Sequence, residues 1–434
     1  MVHDHARGHA INPVRTYGFS AGSANSAPRQ STITRRIRTS RIGVTLRHAW
    51  AEPVQLPADG LDEFTRKQAR NDTVIQALLE LGCGKIRVPL ADLAAERGRQ
   101  RMADLAATGI GFTIFSIGVP SDETIALAGA HSGLISAWEV IAPQDQLAAA
   151  VERFAGLREG RKLNRDPKLT VYAGPVRSLL PDDPDASTFQ HFASHGFGPE
   201  GGDSSLKSDI DGVTFRVSPF DRPWERIAAM ADRAAETGLG VLANVQLPRR
   251  DEGIVFDDDA AIANHAAETV AAAMAHPGVN IFLDTFMDHD RGYYPRHGLI
   301  DRRGNPRPAL HAIRNLESFF TPAAEDATNG DGAWMLERTE GRRAFYLQSG
   351  TRSGVLHLAG PDRVGGGVEY APLVFRLPDG AKRKTGYSAT VGRYTNLISG
   401  EYIPFDAEST SDGTVSITAR GRTSPGPRLL LLEP

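Results

Sequence analysis

The chain has 434 residues, which is more than one ordinary domain needs, and its 41% hydrophobic and 23% charged residues are typical of a globular protein. Its formal net charge of −3 argues against a nucleic-acid partner, which would require a clearly basic domain. The single cysteine, Cys83, excludes an intrachain disulfide and a thiolate zinc cluster, and its apolar neighbours indicate a buried side chain.

The first forty residues differ from the rest of the chain. They are rich in Arg, His, Ser and Ala, contain one acid (Asp4), and have no apolar stretch of the kind that a secretory signal contains. Residues 1–40 are therefore predicted to be a disordered basic tail, with an organelle transit segment as the alternative. No segment is apolar over the roughly 20 residues that span a bilayer, so we expect a cytoplasmic protein without a membrane span.

From Ile42 onward, eight apolar or β-branched runs alternate with Ala- and Leu-rich segments of helical periodicity. The runs are RIGVTL, GKIRVPL, GFTIFSIG, LISAWEVI, LTVYAG, DGVTFRVS, GVLANVQL and VNIFLDTF. Continuous apolar strands separated by helices predict a parallel sheet, and eight such units predict a (β/α)8 barrel over residues 41–321. A doubly wound open sheet is the rival fold, but no Gly-rich phosphate loop follows the first strand. We therefore expect no nucleotide cofactor.

The composition changes after the last helical segment. Residues 322–332 resemble a linker by their Pro, Gly, Asn and Asp content. Residues 333–434 alternate short strands with turn residues, which predicts a small antiparallel β-sandwich.

In a barrel of this kind, functional side chains project from the carboxyl ends of the strands. Our catalytic candidates there are Glu139 in the fourth strand and Asp288 and Asp290 after the eighth. The expected ligand-binding side chains are polar or charged residues of the other strands and loops: Arg47, His48, Arg87, Tyr172, Arg177, Arg216, Asn244, Gln246, Asp284 and Arg291. A ring of arginines is repulsive unless an anion or the aspartates offset it, which favours an acidic or densely hydroxylated ligand.

Two other polar clusters have simpler explanations. His191 and His195 are four residues apart but have no evident third ligand, so the sequence predicts no metal site. Asp257, Asp258 and Asp259 open a helix, where carboxylates favour the helix dipole.

Four stretches resemble a glycoside hydrolase of clan A, in the branch that includes β-xylosidases and α-iduronidases. AWEV is similar to that branch's strand-four Trp-Glu-Val, NRDPKLTVYAGP to its passage into strand five, and DIDGVTFRVSP to its strand-six motif. GLIDRRGNPRPALHAIRNL is similar to its final loop and helix, so the resemblance covers about residues 42–320. It implies a (β/α)8 barrel, a β-sandwich and a carbohydrate ligand.

The chain departs from that family at the catalytic positions. Strand four lacks the Asn-Glu dipeptide that carries the family's acid/base, Gln246 stands near the expected nucleophile of strand seven, and Arg216 replaces the strand-six histidine. Gln cannot form a glycosyl ester or act as a base.

Three functions follow from this departure. The protein is a glycosidase with relocated carboxylates (Glu139 with a strand-eight aspartate or Glu252), a non-catalytic glycan-binding protein, or a barrel with another reaction on a sugar acid. The sequence leaves the sugar and the oligomeric state open.

Overall fold

The computed structural model describes residues 40–46, 50, 70–159, 169–176, 196–197, 210–247, 259–288, 298–301, 304–320, 332–339, 342–350, 352–359, 372–376, 390–409, 414–420 and 426–433. The predicted tail and nearly all of the predicted linker lie outside these ranges.

Eight parallel strands form a closed barrel in sequence order. They are β1 (Gly43–Thr45), β2 (Lys85–Pro89), β3 (Gly111–Ile117), β4 (Ile135–Pro143), β5 (Thr170–Val176), β6 (Gly212–Val217), β7 (Gly240–Gln246) and β8 (Val279–Asp284). Strand β1 pairs with both β2 and β8, which closes the barrel. Each strand coincides with one of the eight apolar runs, and the predicted (β/α)8 barrel is confirmed.

Helices connect these strands on the outer face of the barrel. They are α1 (Arg70–Leu81), α2 (Leu90–Ala94), α3 (Glu96–Ala106), α4 (Asp122–Ala130), α5 (Leu147–Glu159), α6 (Pro223–Thr237), α7 (Asp259–Ala275) and α8 (Pro308–Phe320), with a 3₁₀ turn at Ser132–Leu134. Their ends follow local chemistry. Ser121 accepts a hydrogen bond from the Thr124 amide at the start of α4, whereas α6 begins at Pro223 and ends at Gly238 with φ of 71°.

Eight further strands form two antiparallel sheets. They are β9 (Gly332–Thr339), β10 (Arg342–Ser349), β11 (Arg352–Ala359), β12 (Leu373–Arg376), β13 (Thr390–Asn396), β14 (Phe405–Ser409), β15 (Thr414–Ala419) and β16 (Gly426–Glu433). One sheet has the order β13-β16-β11-β10-β9 and the other β12-β15-β14. The predicted all-β sandwich is thus confirmed.

The five-stranded sheet is buried on both faces. Along β10, Ala344 and Tyr346 face the three-stranded sheet, whereas Phe345 and Leu347 join the core that continues into the barrel. The two faces alternate because successive side chains of a strand point in opposite directions.

Helix α7 lies between the barrel and the five-stranded sheet. Almost every residue of α7 is buried, from Ala260 to Met274, and it contacts β8 and four strands of the sandwich. A helix that is apolar on all sides must be covered on all sides, which explains why its sequence, DAAIANHAAETVAAAMA, lacks a polar face of the usual width.

Candidate functional site

Alternate side chains of the barrel strands face the barrel interior. In β6 and β7, Phe215, Val217, Ala243 and Val245 belong to the core between the sheet and the helices. Arg216, Asn244 and Gln246 occupy the intervening positions and therefore face inward. The same alternation places Arg87, Glu139, Tyr172 and Asp284 in the interior, at different heights along the barrel axis.

Tyr172 lies toward the amino-terminal end of the barrel. Its ring fills the space beside Gly212 and Gly240, the first residues of β6 and β7, where an added Cβ would clash with or touch the tyrosine. The Asn280 side chain hydrogen-bonds its hydroxyl, and burial raises the pKa of Tyr172. The Lys85 ammonium group donates a hydrogen bond to the side-chain oxygen of the same asparagine, Asn280, over 2.7 Å. The structure therefore separates Tyr172 from the predicted ligand-binding residues at the carboxyl ends of the strands.

Arg87 and Glu139 form an ion pair in the middle of the barrel. Each is the central residue of its strand, each side chain is 0% exposed, and Arg87 Nε lies 2.5 Å from Glu139 Oε2. The Arg87 guanidinium also lies over the Phe115 ring, 4.2 Å from its centroid. A carboxylate held in this way is neutralised by its partner and has no contact with solvent. Sequence reasoning identified both residues but not their pairing.

The carboxyl ends of β6, β7 and β8 bring together three of the predicted binding side chains. Gln246 and Asp284 are the last residues of their strands and are paired in register, so their side chains are neighbours on the interior face. Arg216 is the penultimate residue of β6. Asn244 is one interior position below Gln246 and is fully buried. We call the group formed by Arg216, Gln246 and Asp284 the barrel mouth.

The opposite side of the same end is apolar. Phe115, Ile141 and Val176 of β3, β4 and β5 form a small buried cluster, against which Ile117 packs. The interior toward the carboxyl ends is therefore divided into an apolar side from β3–β5 and a polar side from β6–β8. Such a division suits a ligand with both apolar and polar faces.

Asp288 braces the segment that follows β8. One carboxylate oxygen accepts the Gly298 amide hydrogen over 2.7 Å, and the other lies 2.5 Å from Arg307, just before α8. Arg307 also lies 3.5 Å from Asp259 at the start of α7. Burial is the main cause that raises the pKa of Asp288, and Gly298 and Arg307 oppose it. This geometry is that of a loop brace, and a catalytic role for Asp288 stays a prediction.

Two residues that sequence reasoning did not select lie near the mouth. Arg226, in the first turn of α6, is 3.7 Å from Asp221 and close enough to Arg216 for their charges to interact. His265 of α7 hydrogen-bonds the backbone carbonyl of Gln246. Neither contact has a local sequence signal, because each joins a helix to a strand or turn through the tertiary fold.

The remaining candidates lie outside the described residues. They are Arg47, His48, Arg177, Glu252, Asp290 and Arg291, so their contribution to the site stays a prediction. The residues for which the sequence predicts no role in the site, His191, His195, Asp257 and Asp258, also lie outside the described ranges. Within the described ranges, no three His, Cys, Asp or Glu side chains are grouped as metal ligands, and no helix is long and apolar enough to cross a membrane.

Comparison with solved structures identifies glycoside hydrolases of similar fold. A family 39 glycoside hydrolase from Bacteroides cellulosilyticus WH2 matches with a TM-score of 0.58 and 12% identity over 91% of this chain and 81% of that chain. An α-L-fucosidase from Bacteroides thetaiotaomicron matches with a TM-score of 0.43 and 11% identity, over 95% of this chain and 98% of that one. A maltogenic α-amylase from Thermotoga neapolitana has a TM-score of 0.49 and 7% identity, over 90% and 98%.

No family model and no curated protein sequence matches the chain. Of the three structures, the family 39 hydrolase has a TM-score above 0.5, and at 12% identity it supports the fold and not the reaction. The chain thus has a glycosidase-like (β/α)8 barrel with an all-β sandwich.

Proposed function

We propose that the protein is a carbohydrate-active enzyme that binds a sugar at the barrel mouth and cleaves a glycosidic bond there. The observation that carries the proposal is the meeting of Arg216, Gln246 and Asp284 at the carboxyl ends of three consecutive strands. Guanidinium, amide and carboxylate groups together offer donors and acceptors to a polyhydroxylated ligand.

Asp284 is the carboxylate that we assign to the reaction, in place of Glu139. Glycosidases of the usual kind require two carboxyl groups, about 5–5.5 Å apart for retention or about 6.5–9.5 Å apart for inversion. Glu139 is neutralised by Arg87 below the mouth, whereas Asp284 ends its strand at the mouth. We assign the second carboxyl group to Asp290 or Glu252, which follow β8 and β7 in the sequence.

A second candidate function is glycan binding without hydrolysis. It is favoured by Gln246, which stands at the end of β7 where the family that the sequence resembles has its nucleophile. An amide retains hydrogen bonds to a sugar but supplies no nucleophile or base. The two functions share the same ligand-binding residues and differ in whether the mouth contains a second carboxylate.

Hydrolysis of a panel of aryl glycosides, both neutral sugars and uronides, tests the proposal. Asp284→Asn, Asp290→Asn and Glu252→Gln are compared with Asp406→Asn, an exposed carboxylate on the sandwich, as the control. We expect Asp284→Asn to lower kcat by about 10²–10⁴-fold with binding retained, and one of the other two variants to do the same. Calorimetric binding without turnover on any glycoside would establish the glycan-binding function instead.

A further inference from the structure

Among the described residues, no carboxylate pairs with the guanidinium group of Arg216. Its backbone amide donates to the Phe197 carbonyl over 3.1 Å, which continues the sheet. Among the residues that the structure describes, however, its side chain makes no ion pair or hydrogen bond. The side chain is half-buried and faces the interior at the end of β6, so it is accessible from the mouth.

Arg226 brings a second guanidinium group to the same place. It lies in the first turn of α6, which begins six residues after β6 ends. Its nearest carboxylate, Asp221, is 3.7 Å away, and its buried Nε has no hydrogen-bond partner in the described parts of the chain. Burial is the main cause that lowers the pKa of Arg226, and the positive charge of Arg216 lowers it further, against the effect of Asp221.

The turn between β6 and α6 is rigidly built. The Ser218 amide donates to the Asp221 carboxylate over 2.7 Å, and the Asp221 amide donates to the Ser218 carbonyl over 3.0 Å. The Ser218 hydroxyl accepts from the Phe220 amide. Because Asp221 is already engaged by the turn, it offsets the charge of Arg226 only in part. The guanidinium group of Arg226 thus lies near a carboxylate that the turn already engages, and the positive charge of Arg216 acts on the same guanidinium group.

We propose that Arg216 and Arg226 form an oxyanion subsite, which binds a carboxylate or sulfate group carried by the sugar ligand. An arginine fork donates two parallel hydrogen bonds to such a group, and the bound anion relieves the repulsion between the two side chains. The subsite rests on the proposed function, because it places the charged substituent of the sugar beside the mouth. In this proposal, the hydroxyl groups of the same ligand lie beside Asp284 and Gln246 at the ends of β8 and β7.

Calorimetric titration of the full chain tests the subsite with four probes: D-glucuronate, D-glucose 6-sulfate, D-glucose and inorganic sulfate. Arg216→Gln and Arg226→Gln are compared with Arg222→Gln. Arg222 is the matched control because it lies on the same turn, is more exposed and pairs locally with Glu225. Arg216→Lys retains the charge but not the fork. Circular dichroism and melting curves establish that each variant is folded.

We expect one of the two charged sugars to bind at least tenfold more tightly than D-glucose. We also expect Arg216→Gln and Arg226→Gln each to lower the affinity for that charged sugar at least tenfold. Arg216→Lys should lower it less than Arg216→Gln does, and Arg222→Gln should have little effect on it. The better of the two charged sugars identifies the anionic group.

The remaining outcomes separate the subsite from the proposed function. Equal binding of D-glucose and the charged sugars, unchanged in both variants, would overturn the subsite and leave the sugar site intact. An equal loss of affinity in Arg222→Gln would overturn it as well, because the effect would then be one of general charge. Inorganic sulfate binding that depends on both arginines, without any sugar binding, would support the subsite and contradict the proposed function.

Discussion

Arg87 and Arg216 occupy interior positions of neighbouring height in one barrel, yet their surroundings differ. Arg87 is 0% exposed, lies over Phe115 and is paired with Glu139. Arg216 is half-buried, and no described carboxylate pairs with it. The difference follows from how deep each side chain lies in the barrel. A charge in the middle of the barrel must be compensated by the protein, because its desolvation would otherwise cost several kcal/mol.

A charge at the carboxyl end can remain uncompensated because solvent or a ligand reaches it. The comparison therefore shows Arg87 and Glu139 as a paired element of the barrel interior, whereas ligand binding by Arg216 stays a proposal. It also distinguishes residues that look alike in the sequence, since Arg87, Glu139 and Arg216 all stand within apolar strands.

The largest expected effect comes from removal of one member of the Arg87–Glu139 pair. Arg87→Met or Glu139→Leu removes the ion-pair partner of a fully buried charge, which should lower the free energy of unfolding by about 3–5 kcal/mol. The double variant replaces the pair by apolar side chains and should be within about 1 kcal/mol of the wild type or more stable. Urea denaturation of all four proteins measures this double-mutant cycle.

The same double variant tests the catalytic assignment of Glu139. If the pair is a framework element, the double variant should fold and retain its ligand binding and any activity that the wild type has. A stable double variant that binds the ligand but has lost its turnover would instead support a catalytic role for Glu139. It would contradict the difference drawn between the Arg87–Glu139 pair and Arg216.

His265 represents a third way to accommodate an ionisable group near the mouth, since it is buried and kept neutral. Its pKa is lowered to about 3, chiefly by burial and also by the nearby positive charge of Arg343, while the hydrogen bond to the Gln246 carbonyl acts in the opposite direction. The unfolded chain binds a proton near pH 6.5 that the folded chain does not bind until about pH 3. The contribution of His265 to stability is thus complete above pH 6.5 and lost as the pH falls.

The measurement is the free energy of unfolding between pH 7 and pH 4.5 for the wild type and His265→Gln. The wild type should lose roughly 1 kcal/mol per pH unit more than the variant, because Gln cannot be protonated but still offers a donor to the Gln246 carbonyl. Thr269→Val is the control, since Thr269 is buried on the same helix and does not titrate. Parallel pH profiles of wild type and His265→Gln would contradict the neutral state of His265.

The sequence predicts the barrel well because each strand is a continuous apolar run and segments of helical periodicity alternate with these runs. It predicts the site less well. Alternation along β4 and β5 identifies which side chains face inward, but height in the barrel depends on the stagger between strands. That stagger places Tyr172 near Gly212 and Gly240 at the amino-terminal end.

Contacts between residues that are far apart in the sequence are the second feature of the site that the sequence does not predict. Glu139 meets Arg87 across 52 positions, and Arg226 approaches Arg216 by way of the turn before α6. No spacing rule predicts contacts of this kind. The contact between Asp288 and Arg307 is closer in sequence, because both residues belong to the charged stretch between β8 and α8.

Substitution of Asp288 tests whether this carboxylate stabilises the fold, as the Arg87–Glu139 pair does, or takes part in the reaction that we propose for the barrel mouth. Asp288→Asn keeps the size of the side chain but removes the charge that faces Arg307, which should lower the free energy of unfolding by about 1–3 kcal/mol. Urea denaturation measures this, with turnover assayed well below the melting temperature. A variant of unchanged stability that has lost turnover would establish a catalytic role for Asp288.

Arg216 should give the smallest effect on stability. Arg216→Gln removes a guanidinium group that no described carboxylate pairs with and relieves its repulsion of Arg226, so the free energy of unfolding should change by no more than about 0.5 kcal/mol. By contrast, removal of the guanidinium group of Arg87, which lies deeper in the barrel on β2, should be severe. A loss of 3 kcal/mol or more in Arg216→Gln would mean that Arg216 is a framework residue like Arg87. Unchanged stability together with weakened binding of a charged sugar is the result that a ligand-binding arginine requires.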